Sequence, residues 1–169
     1  MELINASLER HWDIAADFLV QAVERCNRNG FPLWTKDQVN VPSLKTSYEL
    51  ENLYLLKHHG QQVGCVFISL DNDDFWSDRD TKRSLFFHKF VIGDTFKSLG
   101  LGLLALTEIQ LLAQSLGCEW LRCDCHGDRG RLRAFYENFG FEFVDRSEMF
   151  GFDVARYQKL VKVDSNVVD

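Results

Sequence analysis

The chain has only two prolines among its 169 residues, and no stretch rich in proline, glycine or serine divides it. It also has no internal repeat and no low-complexity tract, so we predict one domain spanning residues 1–169. No apolar run approaches the roughly 18 residues that indicate a membrane span, and no basic-then-apolar signal opens the sequence. We therefore expect no membrane partner and a cytoplasmic protein.

Positive charge is scarce. Lysine and arginine number 19 against 25 acidic residues, which gives a formal net charge of -6. Proteins that bind nucleic acid contact its phosphates mainly through clustered lysine and arginine. We therefore expect no nucleic-acid partner, and cationic or small neutral substrates fit the composition better.

The five cysteines lack the even number and the spacing of a small secreted domain, which indicates reduced thiols in a cytosol. Cys118, Cys123, Cys125 and His126 are the combination that most suggests a metal site. On a strand, however, Cys123 and Cys125 share one face and His126 points to the other. The spacing also lacks the two ligand pairs of zinc sites. We expect small buried residues here and no metal.

The spacing of apolar residues and turn signals predicts alternating helices and strands. The predicted elements are a strand at Glu2 to Ala6, a helix capped by Ser7 and ended by Asn29-Gly30, a short helix capped by Thr35, a hairpin of Glu51 to His58 and Gln61 to Leu70, a strand at Leu85 to Ile92, a helix with apolar positions from Leu103 to Leu112, a strand at Trp120 to Cys125, a helix at Arg131 to Asn138, and strands at Phe141 to Asp145 and Phe152 to Val163. This order indicates an α/β domain.

A ligand site is indicated where the strand ending at Ile92 gives way to a helix through Gly100 and Gly102. Glycines lack a Cβ atom, so a ligand can approach the backbone, and the N–H groups at a helix start attract anions. A phosphate or pyrophosphate is the expected ligand. No P-loop string occurs. A dinucleotide-binding fingerprint, G-x-G-x-x-G/A with an acidic residue about 20 positions later, is compatible with Ala105 and Glu119. It is disfavoured because this motif normally lies on the first strand of its domain, and here more than half of the chain precedes it.

Two segments resemble motifs of the GNAT N-acetyltransferase superfamily. Phe90 to Gly102, FVIGDTFKSLGLG, is similar to its acyl-CoA-binding motif R/Q-x-x-G-x-G/A, with Lys97 in place of the usual arginine or glutamine. Leu132 to Phe141, LRAFYENFGF, is similar to its signature ending in F-Y-x-x-x-G-F. The resemblance covers about the C-terminal half of the chain. It implies a single GNAT-like domain, with a central mixed, mostly antiparallel β-sheet flanked by helices.

The resemblance also implies an acetyl-CoA-dependent N-acyltransferase. The acceptor would be a primary amine of a small molecule, an amino acid or a peptide terminus, attacking directly in a ternary complex. The coenzyme-binding residues that it implies are Phe90, Val91, Ile92, Lys97, Ser98, Leu99, Gly100, Leu101, Gly102 and Tyr136. The family usually has an asparagine seven residues before its tyrosine, and Arg129 stands there. Arg129 therefore either contacts a coenzyme phosphate or lies in a solvated loop.

Acetyl transfer to an amine needs a proton acceptor for the amine and an acid for the departing thiolate. The resemblance gives the role of acid to Tyr136. His88, an imidazole that alternates with Phe86 and Phe90 on its strand, is the first candidate for the base. Asp124, beside the expected split of the central strands, is the second candidate. The structural alternatives are a tyrosine packed on a helix face and a hydrogen-bonded core histidine.

The acidic segment from Asp71 to Asp80 has two interpretations. It is either a solvated connector or a substrate lid, in which carboxylates such as Asp74 attract an amine and Phe75 or Trp76 covers it. The acceptor and the oligomeric state stay open, a homodimer included. The alternative function is a non-catalytic acyl-CoA-binding sensor or regulatory module, and a nucleotide-phosphate enzyme is a third idea.

Overall fold

The computed structural model describes residues 1–161. Its strands are β1 (Glu2–Asn5), β2 (Leu53–His58), β3 (Gln61–Leu70), β4 (Ser84–Ile92), β5 (Trp120–His126), β6 (Glu142–Met149) and β7 (Phe152–Leu160). Its helices are α1 (Arg10–Arg28), α2 (Lys36–Val39), α3 (Val41–Ser47), α4 (Leu101–Ser115) and α5 (Gly130–Phe139). Short 3₁₀ turns cover Leu50–Asn52, Asp74–Trp76 and Asp94–Phe96. Within this part of the chain, no helix has both the length and the apolar character needed to cross a membrane.

The seven strands form one mixed sheet in the order β1-β2-β3-β4-β5-β7-β6. β4 and β5 are parallel, with Ser84 opposite Trp120 and Phe86 opposite Arg122. The pairings of β2 with β1 and β3, and of β7 with β5 and β6, are antiparallel. The predicted α/β fold, with a mixed and mostly antiparallel sheet flanked by helices, is confirmed.

Residue contacts group the chain into two compact units. The first is Met1–Ile68 with Lys89–Glu108, and the second is Ser69–His88 with the described chain from Ile109 onward. β4 and α4 each contribute residues to both units.

The core of the first unit forms around α1. Apolar residues recur along this helix at spacings of three and four, so they share one face, which is buried. The buried residues of this face include Trp12, Ala15, Leu19, Ala22 and Val23. β2 and β3 form the predicted hairpin, and Gly64 of β3 lies so close to the Val91 backbone that a Cβ atom would collide with it.

Two of the three predicted helix caps in the first unit are found in the structure. α1 ends at Arg28 with Asn29 in the cap position, at the predicted Asn29-Gly30, and Thr35 caps α2 in a capping box with Gln38. The predicted cap at Ser7 is wrong, because α1 begins at Arg10 with Glu9 in the cap position. The backbone N–H of Ser7 instead donates to Nδ1 of His11 at 3.2 Å.

The second unit contains β5, α5, β6 and β7, each within about four residues of its predicted bounds. α5 ends at Phe139 and is capped by Gly140, whose φ of 100° lies in the left-handed region that glycine tolerates. β7 ends at Leu160, and the predicted extension to Val163 lies outside the described residues. The unit's fully buried side chains include Trp76, Phe86, Leu121, Arg156 and Tyr157.

Candidate functional site

The glycine turn of the first unit has the backbone of an anion-binding loop. After the 3₁₀ turn at Asp94–Phe96, Ser98 has a φ of 62° and Gly100 a φ of 74°. Left-handed turn residues of this kind help to direct backbone N–H groups toward one side, and α4 adds the N–H groups of its first turn. A Cβ atom at Gly100 would meet nothing within 4 Å, so there is open space beside the backbone. These residues fit a phosphate or pyrophosphate group.

The base of this loop is anchored to α1. The backbone N–H of Asp94 donates to Oε1 of Gln21 at 3.0 Å, and the Asp94 carboxylate pairs with Arg25. Desolvation lowers the pKa of Lys97 below its ordinary value, and the nearby charge of Arg25 acts in the same direction. An anionic ligand beside Lys97 would offset both effects, since it favours the charged ammonium.

β4 contains an irregularity one residue after His88. Lys89 has a φ of 46°, a left-handed value inside a strand. The side-chain alternation expected from Phe86 through His88 to Phe90 is therefore interrupted at Lys89, because alternation requires extended backbone. Such irregular positions re-aim side chains and are common beside functional sites.

In the second unit, the structure brings both predicted candidates for the base together. His88 Nε2 lies 2.5 Å from Oδ2 of Asp73, and His88 Nδ1 lies 3.8 Å from Oδ2 of Asp124. The three side chains are only 7% to 17% exposed. An imidazole is positively charged only when protonated, and both carboxylates stabilise that form. The trio can therefore accept and hold a proton.

Asp73 was not among the residues predicted for the site. It caps the 3₁₀ turn at Asp74–Trp76, where its Oδ1 accepts a hydrogen bond from the Phe75 backbone N–H at 2.9 Å. This bond leaves Oδ2 to face His88. An aspartate before a turn is a recognisable sequence signal, but its contact with a histidine of β4 depends on the tertiary fold.

The same trio is the group of potential metal ligands in residues 1–161, with donor atoms of Asp73, His88 and Asp124 within 4.8 Å of one another. Two ligands at about 2.0–2.2 Å from a tetrahedral ion lie about 3.3–3.6 Å apart. The 2.5 Å separation of His88 from Asp73 is shorter than that. The arrangement therefore suits a shared proton better than a metal ion.

Tyr136 lies in an aromatic cluster of the second unit. Its ring centroid is 5.6 Å from that of Phe141, 5.9 Å from Phe87 and 6.1 Å from Tyr157. The residue is buried, and this burial raises the pKa of the Tyr136 hydroxyl well above its ordinary value. The hydroxyl therefore keeps its proton at neutral pH, as a proton donor must.

Tyr157 belongs to the same aromatic cluster, and its hydroxyl has two protein partners. It accepts a hydrogen bond from Nε of Arg133 at 2.7 Å and donates one to Oε1 of Glu137 at 2.7 Å. Arg133 and Glu137 belong to α5, so Tyr157 fixes this helix to β7. This is a structural role.

The predicted substrate residues have different environments. Asp74 is exposed, and the half-buried ring of Phe75 meets Phe150 edge to face at 5.4 Å. The prediction that Trp76 covers a substrate is wrong, because this side chain is 0% exposed. Its indole packs against Phe86 and has the guanidinium groups of two arginines about 5 Å away, Arg122 and Arg156.

Arg129 and the cysteines of β5 occupy well-packed positions. Arg129 precedes α5, its side chain is 12% exposed, and its Nε lies 3.4 Å from Asp128 Oδ1, so it is not a solvated loop residue. Cys123 and Cys125 are buried as predicted, and burial raises the pKa of Cys125 to about 12.

Residues 14–141 of the chain match the family model described as Acetyltransferase (GNAT) family. Among solved structures, it resembles GNAT-family acetyltransferases from Streptococcus agalactiae (TM-score 0.74, 16% identity, 93% of this chain and 94% of that one) and Listeria monocytogenes (0.73, 18%, 94% and 94%). It also resembles the ribosomal-protein-S18-alanine N-acetyltransferase of Escherichia coli (0.63, 11%, 97% and 96%).

No curated protein sequence matches the chain. The structural likenesses, all well below 25% identity, show the fold. The family model covers most of the chain, including the glycine turn and Tyr136. The chain therefore belongs to the GNAT acetyltransferase family.

Proposed function

We propose that this protein is an acetyl-CoA-dependent N-acetyltransferase that acts on a primary amine of a small molecule, an amino acid or a peptide terminus. Family membership supports acetyl transfer in general. The observation that carries the finer proposal is the imidazole of His88, which has the carboxylates of Asp73 and Asp124 on its two ring nitrogens. An amine is protonated at neutral pH, so an enzyme that acetylates it needs such a proton acceptor.

The glycine turn and the strand end before it bind the coenzyme in this proposal. The backbone N–H groups from Lys97 to Gly102 hold the pyrophosphate, and Lys97 adds a positive charge. The left-handed residues Ser98 and Gly100 and the start of α4 support this role. The strand end at Phe90, Val91 and Ile92 pairs with the amide groups of the pantetheine arm. A backbone N–H near Ile92 polarises the thioester carbonyl.

His88 and Tyr136 move the protons in this proposal. His88 accepts one proton from the substrate ammonium, and the neutral amine then attacks the thioester carbon, forming the C–N bond. As the C–S bond breaks, Tyr136 gives its proton to the departing sulfur. The second proton lost by the amine restores Tyr136 through solvent, and the proton on His88 passes to solvent. The products are an N-acetylated amine, free coenzyme A and one proton.

The acceptor is proposed only as a class. The net charge of -6 and the exposed carboxylate of Asp74 favour a cationic amine over an anionic one. Phe75, half-buried beside Phe150, supplies an apolar surface that the carbon skeleton of such an amine would contact. Asp74 and Phe75 are thus the acceptor residues of the proposal.

The proposal is tested with purified protein, acetyl-CoA and a panel of primary amines. Coenzyme A release is followed by thiol detection, and the acetylated amine by mass spectrometry. We expect matched amounts of both products with at least one amine, and a large loss of both in His88→Gln. Coenzyme binding without any turnover across the panel would instead favour the non-catalytic acyl-CoA sensor.

A further inference from the structure

The guanidinium group of Arg156 has an acceptor for every one of its N–H groups, although its side chain is only 2% exposed. Nε donates to Asp145 Oδ1 at 2.7 Å, and Nη2 donates to Asp145 Oδ2 at 2.6 Å and to Asp78 Oδ2 at 3.1 Å. Nη1 donates to Asp78 Oδ1 at 2.5 Å and to the carbonyl of Phe75 at 2.9 Å. Arginine has five N–H donors, so its hydrogen-bonding capacity is completely used.

Of the three acceptor residues, Phe75 and Asp78 belong to the acidic segment from Asp71 to Asp80, and Asp145 belongs to the sheet. Arg156 lies on β7, opposite Asp145 of β6 and opposite Asp124 of β5. Residues directly opposite in antiparallel strands have neighbouring side chains. Arg156 therefore connects the acidic segment to the sheet beside one carboxylate of the His88 trio.

Phe75 links this anchor to the other carboxylate of the trio. Its carbonyl accepts from Arg156, and its N–H donates to Oδ1 of Asp73. The adjacent Trp76 is fully buried, with the Arg156 guanidinium 5.1 Å from its ring centroid. The backbone on both sides of Phe75 is thus fixed, and with it the position of the Asp73 carboxylate that faces His88.

We propose that Arg156 is a positioning residue for His88, holding the acidic segment so that Asp73 Oδ2 lies against Nε2 of the imidazole. Arg156 acts through Asp78 and Phe75 on Asp73. The effect on turnover rests on the proposed function, but the effect on the ionisation of His88 does not. A lysine has three donors and no planar fork, so it cannot replace these five bonds.

Several charged side chains lie near His88 and Arg156, and a test must separate their effects from that of Arg156. The carboxylates that face His88 are Asp73, from the acidic segment, and Asp124, from β5. Those that face Arg156 are Asp78 and Asp145, and two further arginines are close by. Arg79 pairs with Asp145 at 2.9 Å, and Arg122 lies 5.0 Å from the ring centroid of Trp76.

The test measures the ionisation of His88 by NMR in Asp78→Ala, with Asp80→Ala as the matched control. Both changes remove one carboxylate from the acidic segment. The carboxylate of Asp80 accepts from the Lys82 N–H and is not among the acceptors of Arg156, whose five N–H groups donate to Asp78, Asp145 and Phe75. Asp78 is 57% exposed, and Arg156 keeps Asp145, so Asp78→Ala should fold. The His88 resonances are assigned by their loss in His88→Gln.

The reference variant is Asp73→Asn, which should lower the pKa of His88 by about 1 unit, because a carboxylate at this distance stabilises the imidazolium. We expect Asp78→Ala to lower the pKa of His88 by a measurable fraction of that shift and Asp80→Ala to change it much less. Asp73→Asn combined with Asp78→Ala should match Asp73→Asn alone. Equal titrations of Asp78→Ala and Asp80→Ala would overturn the inference, as would fully additive effects in the double variant.

Two further measurements are the His88 titration in Arg156→Lys and the pH dependence of kcat/KM. If Arg156→Lys folds, its His88 titration should shift at least as far as that of Asp78→Ala, and an unshifted titration would overturn the inference. If it does not fold, Asp78→Ala decides. A shift by NMR without a matching shift in the acid limb of kcat/KM supports the positioning role and rejects His88 as the base. Failure of the inference and failure of the proposed function are thus distinguishable.

Discussion

Replacing Tyr136 by phenylalanine tests the proposed proton donor with little disturbance of the fold. The change removes one hydroxyl and keeps the ring that packs against Phe87, Phe141 and Tyr157. Loss of one hydrogen-bonding group from a buried position changes stability by about 1 kcal/mol. Tyr136→Ala would instead leave a cavity costing about 3–5 kcal/mol, so phenylalanine is the informative replacement.

The kinetic effect should lie at the lower end of the range for acid catalysis. A positioned general acid contributes about 10²–10⁴-fold to the rate. A thiol with an ordinary pKa of about 8.5 is already a good leaving group, and burial makes Tyr136 a weaker acid by raising its pKa. We therefore expect kcat to fall by about 10²-fold, which corresponds to about 2.7 kcal/mol of transition-state stabilisation.

The assay compares Tyr136→Phe with Tyr157→Phe, the same chemical change in the same aromatic cluster. The Tyr157 hydroxyl is bonded to Arg133 and Glu137, so its loss should cost about 1–3 kcal/mol of stability and little of kcat. Tyr136→Phe should show the opposite pattern, with acetyl-CoA affinity by calorimetry nearly unchanged. A kcat within about threefold of the parent in Tyr136→Phe would refute the role of Tyr136.

The pH dependence gives a second check on the same residue. A raised pKa means that Tyr136 loses its proton only above pH 10, the ordinary pKa of a tyrosine hydroxyl. Ionisation of Tyr136 therefore produces no alkaline limb in the kcat profile below about pH 10. A decline of kcat between pH 8 and 10 that disappears in Tyr136→Phe would contradict this sign.

Three further predictions concern other groups. Lys97→Gln should raise the Kd for acetyl-CoA by about 3–10-fold and more at low salt; unchanged affinity by calorimetry would remove Lys97 from the phosphate site. His88→Gln should lower kcat/KM by about 10²–10⁴-fold and abolish its acid limb; a retained limb would assign it to another group. In the native protein a thiol reagent should label Cys26 first, because the other four cysteines are buried, and all five after unfolding. Fast labelling of more than one thiol would contradict this burial.

Local sequence signals predicted most elements, because the spacing of apolar residues and the capping and turn residues act over short distances. The capping box at Thr35 and the hairpin turn at His59-Gly60 are examples. The periodicity also identified α4 and part of its buried face. Leu106 and Ile109 are buried, together with Leu101, Ala105 and Ala113, whereas Leu103, Leu104 and Leu111 are 43% to 49% exposed.

The errors arose where distant residues determine a local environment. Trp76 lies in a polar, acidic stretch, which suggested an exposed ring. It is buried because Arg122 and Arg156, from strands much later in the chain, pack against its indole. The contact of Asp73 with His88 also depends on distant residues, because the bonds of Arg156 hold the acidic segment, and Asp73 with it, in position. His88, Asp124 and Tyr136 could be chosen from the sequence because their chemistry and the family motifs mark them individually.

The central claim is that this protein transfers an acetyl group from acetyl-CoA to an amine, with His88 as the proton acceptor. The most direct test is mass spectrometry of the products formed from acetyl-CoA and an amine panel by the parent protein, with His88→Gln in parallel. We expect an acetylated amine and an equal amount of free coenzyme A from the parent, and a loss of at least about 10²-fold in the variant. Absence of any acetylated amine from a folded, coenzyme-binding parent, or equal rates for both proteins, would contradict it.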